Sequence, residues 1–322
     1  MDRVLDLLKD EIQQVEEQFR KDLDSRVPLI RKVGEYVLSS GGKRIRPMLL
    51  LLSARLAGYS GDAHIGLASV VEFIHTATLL HDDVVDSAVL RRGQDSANAI
   101  WGNEASVLVG DFLFAKSFSI MVRGGSLEIL QALSDATTQM AEGEVQQLIN
   151  TCELDLNEED YIGVVQDKTA VLLAAACRSG AILGESSQEQ QDALASYGMD
   201  LGIAFQFMDD ALDYVADQAE FGKACGHDLL EGKVTLPLIQ ALRFCSEEER
   251  TRVEAIVDQE ELPQEDLDYV IGLIDTYDGI RFTRERAAAF VEQAKSRLKP
   301  FTDGPAKEAL CILADYVVSR SK

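Results

Sequence analysis

The chain has 322 residues, of which 46% are hydrophobic, and its formal net charge is −24 at pH 7. This length allows a large buried core, while the acidity argues against non-specific binding to nucleic acid, whose phosphates the chain would repel. The cysteines are odd in number and lack CxxC spacing, which excludes a zinc module or a disulfide framework and favours reduced thiols. They are Cys152, Cys177, Cys225, Cys245 and Cys311.

The N-terminal segment is predicted to form an amphipathic helix rather than a signal peptide. It is charged from its first residues, and its apolar residues recur at helical spacing. These are Val4, Leu8, Ile12, Val15 and Phe19. The longest apolar run, near residues 48–52, is far shorter than the roughly 20 residues that a membrane span needs. We therefore expect a soluble, cytoplasmic protein without a transmembrane segment, and we keep open a transient contact with a membrane surface.

Proline and glycine divide the rest of the chain into predicted helices. No proline lies between Pro47 and Pro237, and this interval is rich in Ala, Leu and Glu, which predicts one helix after another. Breaks are expected at residues 39–47, 57–66, 91–103, 151–161 and 217–233. The fourth break ends in a predicted helix cap, with Asn157 at the N-cap and Asp160 three residues later. We predict an all-α fold of about ten or more helices in one domain, residues 1–322.

One acidic pattern occurs twice in the chain. HDDVVD covers residues 81–86 and MDDALD covers residues 208–213, each at the end of an apolar helical segment. On a helix, Asp82 and Asp86 lie one turn apart on the same face, as do Asp209 and Asp213. Like charges at this spacing destabilise a helix, and a hard divalent cation such as Mg²⁺ would offset them. A solvated acidic face remains the alternative, but two copies flanked by apolar residues favour metal binding.

Basic residues lie in turns near these clusters. The first basic turn contains Gly41, Gly42, Lys43, Arg44 and Arg46, and a second contains Arg91 and Arg92; Lys168, Lys223 and Lys233 lie in or near others. Carboxylates that need a metal, beside cations that need an anion, suggest a diphosphate bridged to Mg²⁺. A di-iron bundle would need Glu-x-x-His pairs, and we expect none of that spacing in this chain.

The ordered motifs resemble those of the trans-isoprenyl diphosphate synthases, or polyprenyl synthetases. The resemblance covers nearly the whole chain, through GGKRIRP, IHTATLLHDDVVD, RRG, GDFLFAKSF, AEGEVQQL, KTA, GIAFQFMDDALDY and GHDLLEGKVTLP. It implies a helical bundle around a deep central cavity, usually assembled as a homodimer. It also implies the 1′-4 condensation of isopentenyl diphosphate with an allylic diphosphate, with Mg²⁺ as cofactor and about three ions present when substrate is bound.

The resemblance also implies a role for each matching residue. Asp82, Asp86 and Asp209 match metal ligands, with Asp83, Asp210 and Asp213 in support. The residues that match the isopentenyl diphosphate site are Lys43, Arg46, His75 and Arg92. Those that match positions near the allylic diphosphate are Arg91, Lys168, Thr169, Gln206, Lys223 and Lys233. The implied catalytic set is Asp82, Asp83, Asp86, Arg91, Lys168, Asp209 and Asp210.

Product length is predicted from the residues that precede the first cluster. In this family the product grows beside that helix, and bulky residues four and five positions before the first aspartate stop it early. These positions are Thr78 and Ala77, about 6 to 8 Å below Asp82 and neither of them aromatic. Together with the two-residue spacing inside HDDVVD, they predict a long product of about C35 to C50, of the kind used for quinone side chains. Phe73, Ile74 or a residue on the 127–148 helix is the alternative stop.

Three other functions remain as alternatives to this prediction. A short-chain farnesyl or geranylgeranyl diphosphate synthase would use the same motifs with an earlier stop. A class I terpene cyclase usually has an Asn/Ser/Glu pattern at its second metal site, where this chain has MDDALD. A non-catalytic partner subunit of a heteromeric synthase typically has damaged aspartate motifs, whereas both are intact here.

Overall fold

The computed structural model describes residues 1–215, 226–257, 259 and 262–320, and nearly all of its regular structure is helical, which confirms the all-α prediction. Lys223 and Cys225 lie outside the described residues. The first helices are α1 (Asp2–Asp22), α2 (Pro28–Ser39), α3 (Ile45–Leu56), α4 (Ala63–Val85), α5 (Ala97–Trp101), α6 (Asn103–Gly124) and α7 (Leu127–Ile149). The others are α8 (Glu158–Val165), α9 (Val171–Leu183), α10 (Gln188–Asp213), α11 (His227–Leu230), α12 (Leu236–Phe244), α13 (Glu247–Val257), α14 (Gln264–Thr276), α15 (Gly279–Arg297) and α16 (Pro305–Ser319).

The chain folds into two compact units, each built from three segments. The first unit comprises Met1–Thr137, Leu172–Gly198 and Arg297–Leu313. The second comprises Thr138–Val171, Met199–Ser296 and Ala314–Lys322. The organisation of residues 1–322 as a single domain remains a prediction.

Helix α4 lies at the centre of the first unit, packed by α1, α3 and α6. The predicted apolar stripe on α1 is confirmed, and the ring of Phe19 lies 4.2 Å from that of Phe73 on α4. Gly110 permits the close approach of α6, because a Cβ at this position would lie 2.3 Å from Nε2 of His81. The close packing holds the last turn of α4, which carries the first acidic cluster, against α6.

The prediction of a polar loop over residues 91–103 was wrong. These residues belong to a β-hairpin, with β1 (Leu90–Arg91) antiparallel to β2 (Gln94–Asp95), and to helix α5. The two turn residues, Arg92 and Gly93, both have positive φ, at 52° and 75°, as a tight two-residue hairpin requires. Ser96 then caps α5 by accepting a hydrogen bond from the amide of Ala99. Short strands with charged side chains do not show the alternation by which a strand is recognised in sequence.

The other predicted breaks agree with helix ends. Helices α2 and α3 are separated at residues 40–44, and α3 and α4 at residues 57–62. In the second unit, Asn157 caps α8 as predicted, since its Oδ1 accepts from the amides of Glu159 and Asp160. The predicted loop 217–233 contains the short helix α11, and residues 216–225 of this region are not among those described.

A π-helical turn, Gln166–Ala170, joins α8 to α9 in the KTA motif. Two glycines allow other helices to approach it. A Cβ on Gly143 of α7 would lie 2.7 Å from the backbone nitrogen of Lys168, and one on Gly202 of α10 would lie 2.5 Å from Cα of Ala170. A π turn changes the backbone register within a helix and is frequent at functional sites.

Helices α4 and α6 are long and apolar enough to cross a membrane by length and composition alone. The most apolar window of α4 is 61% buried within the protein, as expected for a core helix. The window of α6 is only 33% buried, so this helix presents an apolar face outward.

Candidate active site

The first acidic cluster ends helix α4, as predicted. Asp82 lies in the last turn and Asp86 is the residue directly after the helix, with its amide donating to the carbonyl of Asp82 at 2.8 Å. Both carboxylates are partly exposed, whereas Asp83 between them is only 2% exposed. The helix therefore separates the three aspartates into an accessible pair and one buried residue.

Asp83 has a partly exposed arginine partner on the hairpin. Its Oδ1 accepts from Nε of Arg91 at 2.6 Å and from NH2 at 2.5 Å. Asn98 of α5 donates to the backbone carbonyl of Asp83 at 3.1 Å. The Asp83–Arg91 pair thus ties the end of α4 to the hairpin and orients the guanidinium.

The predicted isopentenyl diphosphate site forms around a neutral histidine. NH1 of Arg46 lies 3.1 Å from Nε2 of His75, two turns before Asp82 on α4. Because a guanidinium can only donate, Nε2 accepts and the ring proton resides on Nδ1. Burial, followed by the charges of Arg46, Arg92, Arg91 and Arg44, lowers the pKa of His75 well below its usual value.

The Gly-rich turn before α3 lies against Arg92 of the hairpin. NH1 of Arg92 donates to the carbonyl of Gly41, and a Cβ on Gly42 would lie 2.8 Å from the same nitrogen. Lys43 is exposed in this turn. The pKa of Arg92 is lowered by burial and by the charge of Arg91. The structure thus brings together the predicted cations Arg46 and Arg92 beside His75, where an anion would relieve their repulsion.

Arg44 differs from its basic neighbours, because its side chain points into the protein. It has a left-handed backbone, with φ of 53°, and donates to Oε1 of Glu72 at 3.0 Å and to the carbonyl of Leu38 at 2.6 Å. The expectation that no Glu-x-x-His pair occurs was wrong, because Glu72 and His75 have this spacing. Glu72 pairs with Arg44, however, while His75 contacts Arg46. Arg44 therefore fastens the turn, and these two residues do not act as a metal-binding pair.

The second acidic cluster lies at the end of α10, again as predicted. The side chain of Asp209 is 44% exposed, and its Oδ1 accepts from NH2 of Arg320 at 2.7 Å. Arg320 is only 5% exposed; it also donates to the carbonyl of Phe205 at 2.7 Å and stacks on that ring at 4.0 Å. The guanidinium of Arg320 thus binds the carboxylate of Asp209, the predicted metal ligand.

Asp210, the next residue, is fully buried and accepts two hydrogen bonds. The hydroxyl of Tyr161 donates to one carboxylate oxygen at 2.6 Å and Nε2 of Gln206 donates to the other at 2.9 Å. The carbonyl oxygen of Gln206 accepts from Thr169 at 3.1 Å. Burial raises the pKa of Asp210 well above its usual value, and the Asp228 carboxylate adds to this effect.

A cleft of about 100 Å³ in the second unit is lined by residues that include Tyr161, Lys168, Thr169, Gln206, Asp228 and Lys233. Nζ of Lys168 lies 2.8 Å from Glu144 and Nζ of Lys233 lies 2.6 Å from Glu231. Burial and the neighbouring Asp213 carboxylate raise the pKa of Asp228 to about 7. Both lysines of the cleft are therefore paired with a glutamate.

The carboxylates fit a metal that is shared with a substrate. Within the part of the chain that the structure describes, no group of three or more His, Cys, Asp or Glu side chains could hold a metal ion by itself. Mg²⁺ is typically bound by one or two carboxylates together with waters and substrate phosphates. The accessible pair Asp82 and Asp86, and separately Asp209, provide donor sets of this kind.

The predicted residues therefore form two half-sites, one in each unit. The half-site of the first unit contains Lys43, Arg46, His75, Asp82, Asp83, Asp86, Arg91 and Arg92. The half-site of the second contains Lys168, Thr169, Gln206, Asp209, Asp210, Asp213 and Lys233, and the predicted Lys223 is outside the described residues.

Sequence reasoning missed three residues of the second half-site. Arg320 was missed because it lies 111 positions after Asp209 in a segment without a recognisable motif. Tyr161 precedes the KTA motif, and only its distant partner shows its role. Asp228 lies directly before two leucines in the GHDLLEGKVTLP block, and an acidic residue within this block is the signal that could have identified it.

Comparison with known proteins shows one consistent likeness. Residues 27–274 match the family model described as polyprenyl synthetase. The chain is 42% identical to the octaprenyl diphosphate synthase of Escherichia coli K12, over 100% of this chain and 99% of that protein. A polyprenyl synthase from Caulobacter crescentus CB15, solved with calcium and isoprenyl diphosphate, has a TM-score of 0.96 and 41% identity, covering 100% of this chain and 98% of the other. A decaprenyl diphosphate synthase from Rhodobacter capsulatus has a TM-score of 0.95 and 42% identity, covering 100% and 99%.

Proposed function

Because the chain belongs to the polyprenyl synthetase family, we propose that it is a long-chain trans-prenyl diphosphate synthase. It condenses isopentenyl diphosphate with an allylic diphosphate and repeats the reaction to give an all-trans product of about C35 to C50, used for quinone side chains. The observation that carries this proposal is the first half-site. There an accessible aspartate pair ends the same helix, α4, that carries a neutral histidine two turns earlier, and this histidine contacts Arg46 of α3.

In this proposal the basic residues bind the two diphosphates and the aspartates bind the metal ions. Lys43, Arg46 and Arg92 bind the diphosphate of isopentenyl diphosphate, with neutral His75 able to donate from Nδ1. Lys168 and Lys233 bind the allylic diphosphate in the cleft of the second unit. Asp82, Asp86 and Asp209 hold about three Mg²⁺ ions, which when bound neutralise charge on the leaving diphosphate.

The reaction proceeds by loss of diphosphate. The allylic C1–O bond breaks, and its electron pair leaves with the diphosphate. The double bond of isopentenyl diphosphate attacks the allylic carbon, a new C–C bond forms, and a proton leaves C2. The departing diphosphate accepts this proton. Apolar helices exclude water, which would otherwise quench the cation.

Product length is attributed to Ala77. It lies on α4 below Asp82, is fully buried, and belongs to the apolar cluster that includes Phe73 and Leu113. A methyl side chain there leaves room that an aromatic ring would fill. The ring of Phe73, the alternative stop one turn below, packs on Phe19 of α1. The octaprenyl and decaprenyl synthases among the similar proteins support a long product.

The assembly is proposed to be a homodimer that forms through α6. Leu108 and Val122, two heptads apart on this helix, are 67% and 64% exposed, and Ala115 between them is exposed as well. This seven-residue spacing suits packing against a second helix of the same kind. Lipid is disfavoured as the occupant, because Asp111 lies on the same outer face with its side chain 62% exposed. We propose a cytoplasmic enzyme with only transient membrane contact for product release.

The test is an incubation of the purified protein with Mg²⁺, farnesyl diphosphate and labelled isopentenyl diphosphate, followed by sizing of the dephosphorylated products. A ladder ending at about C35 or longer is expected. Asp82→Asn should abolish incorporation, whereas Asp6→Asn, a change at an exposed aspartate on α1, should leave it intact. A ladder that stops at geranylgeranyl would show a short-chain synthase, and no incorporation by folded protein would favour a non-catalytic partner subunit.

A further inference from the structure

The second half-site contains a hydrogen-bonded chain of four side chains, and its direction can be deduced. It runs from Tyr161 to Asp210, from Asp210 to Gln206, and from Gln206 to Thr169. Tyr161 is 7% exposed and Asp210 is fully buried, while Gln206 and Thr169 are partly exposed at the cleft. The chain therefore connects a buried interior group to two side chains that a substrate can reach.

The donors and acceptors in this chain follow from its geometry. The hydroxyl of Tyr161 donates to one carboxylate oxygen of Asp210 and the NH₂ group of Gln206 donates to the other. Because the NH₂ group of Gln206 is directed at Asp210, its carbonyl oxygen faces Thr169. The hydroxyl of Thr169 donates its proton to this oxygen. The lone pairs of the Thr169 oxygen then remain for the cleft. An isolated glutamine could adopt either amide orientation, and only Asp210 selects one.

Tyr161 is the group that makes Asp210 a rigid acceptor. The carboxylate is removed from water, and Tyr161 saturates the oxygen that Gln206 does not use. Without this bond, one buried carboxylate oxygen would lack a partner, a situation that costs free energy and encourages the side chain to turn. The ring of Tyr161 is itself held by stacking against Phe207, at 6.3 Å between centroids.

We propose that Tyr161 is a positioning residue for the reaction: through Asp210 it fixes the orientation of Gln206 and hence of the Thr169 hydroxyl at the cleft wall. This inference rests on the proposed function, because the cleft must hold the allylic substrate. Oxygen lone pairs directed at a carbon that becomes electron-poor stabilise it, and they do so most when they need not reorganise.

The experiment compares Tyr161→Phe with Tyr197→Phe in the purified full-length protein. Tyr197 is a matched control, because it is fully buried and its hydroxyl also makes a single strong bond, to the carbonyl of Leu310 at 2.8 Å. Each variant loses one buried hydrogen bond, so the melting temperatures should fall by similar amounts. Tyr161→Phe should lower kcat about tenfold, a loss typical of residues that orient a side chain in direct contact with the reacting group. The KM for isopentenyl diphosphate should remain unchanged. Tyr197→Phe should keep the wild-type kcat.

Asp210→Asn provides an independent test of the direction of the chain. Asparagine has one oxygen and one NH₂ group in place of two acceptor oxygens, so it cannot accept from both Tyr161 and Gln206, and one of the two native hydrogen bonds is lost. We expect a fall in kcat at least as large as that of Tyr161→Phe. The double variant should be no worse than Asp210→Asn alone, because both changes act through one carboxylate.

The proposal is overturned if Tyr161→Phe retains the wild-type kcat, if Tyr197→Phe loses as much kcat as Tyr161→Phe does, or if the two changes at Tyr161 and Asp210 add. A wild-type rate for Asp210→Asn would also exclude it, because this variant cannot keep both hydrogen bonds through which Tyr161 is proposed to act. The proposed function fails separately, when the wild-type protein incorporates no isopentenyl diphosphate, and the inference then fails with it.

Discussion

The contact between Arg46 and His75 determines the charge of the histidine. A ring nitrogen that accepts from a guanidinium, with three further arginines nearby, does not become protonated at moderately low pH. His75 is therefore neutral with its proton on Nδ1, and the positive charge of the half-site comes from the arginines.

This arrangement makes stability depend on pH. In the unfolded chain His75 binds a proton below about pH 6.5, but in the folded protein its pKa is lowered, so acid favours the unfolded state. His75→Gln removes the contribution of histidine protonation to the pH dependence of stability. The amide oxygen of the glutamine can still accept from Arg46. Between pH 7.5 and 5.5 the wild type should lose about 1 kcal/mol more stability than the variant in urea unfolding. Equal losses in the two proteins would contradict the assignment.

Arg320 would compete with a metal for the carboxylate of Asp209, the proposed metal ligand. Arg320→Ala should bind Mn²⁺, used as a paramagnetic substitute for Mg²⁺, up to about fivefold more tightly in the absence of diphosphate, because no cation then has to be displaced. Binding is measured by the loss of the free Mn²⁺ electron paramagnetic resonance signal. Arg320→Lys, which retains the charge, should resemble the wild type, and weaker binding by Arg320→Ala would contradict the competition.

Between helices, the Gly-rich turn from α2 to α3 combines strained backbone with close packing. Gly41 and Gly42 have φ of 94° and 134°, but only at Gly42 would a Cβ meet another side chain, that of Arg92. The turn therefore serves both as a connection and as a support for a predicted substrate-binding arginine.

The two glycines provide a matched pair of variants. Alanine at either position strains the backbone, but Gly42→Ala also displaces Arg92, whereas the space near Gly41 is empty. We expect KM for isopentenyl diphosphate to rise about tenfold in Gly42→Ala and to change much less in Gly41→Ala. Steady-state kinetics at saturating allylic substrate measure this difference. Similar values for both variants would show that backbone strain alone is responsible.

Helix α4 joins two functions, since its last turn carries metal ligands and the turn before carries the proposed length determinant. Ala77→Phe should place a ring about one turn below Asp82 and shift the product ladder to shorter chains, while the first condensation continues. Because Ala77 is fully buried, Ala77→Leu serves as a milder variant if the phenylalanine impairs folding. Chromatography of the products decides, and an unchanged ladder from both active variants would place the stop elsewhere.

At the scale of the whole molecule, the outer face of α6 is the proposed dimer interface. Leu108→Glu places a charge in the apolar stripe and should convert a dimer into a monomer, seen by light scattering coupled to size exclusion. Leu5→Glu, at a lone exposed leucine on α1, is the control and should leave the mass unchanged. A wild-type monomer would refute the proposed dimer.

Most of the helices could be predicted from sequence, because helix formation is a local property. The spacing of Val4, Leu8, Val15 and Phe19 is enough to define the buried face of α1, and Asn157 caps α8 through atoms two and three residues away. The hairpin at Leu90–Asp95 was missed, because its strands are two residues long and carry no periodic pattern.

The sequence by itself determined the all-α architecture, the family and the identity of the two acidic clusters, since these depend on residue type and short spacing. The tertiary structure alone decided which aspartate of each cluster is buried and which partner it has. Asp83 pairs with Arg91 across a hairpin, and Asp210 bonds Tyr161, which is 49 positions away. Asp209 meets Arg320 near the far end of the chain. These partners are chosen by the way helices pack, and helix packing brings together residues whose separation along the chain carries no signal of their contact.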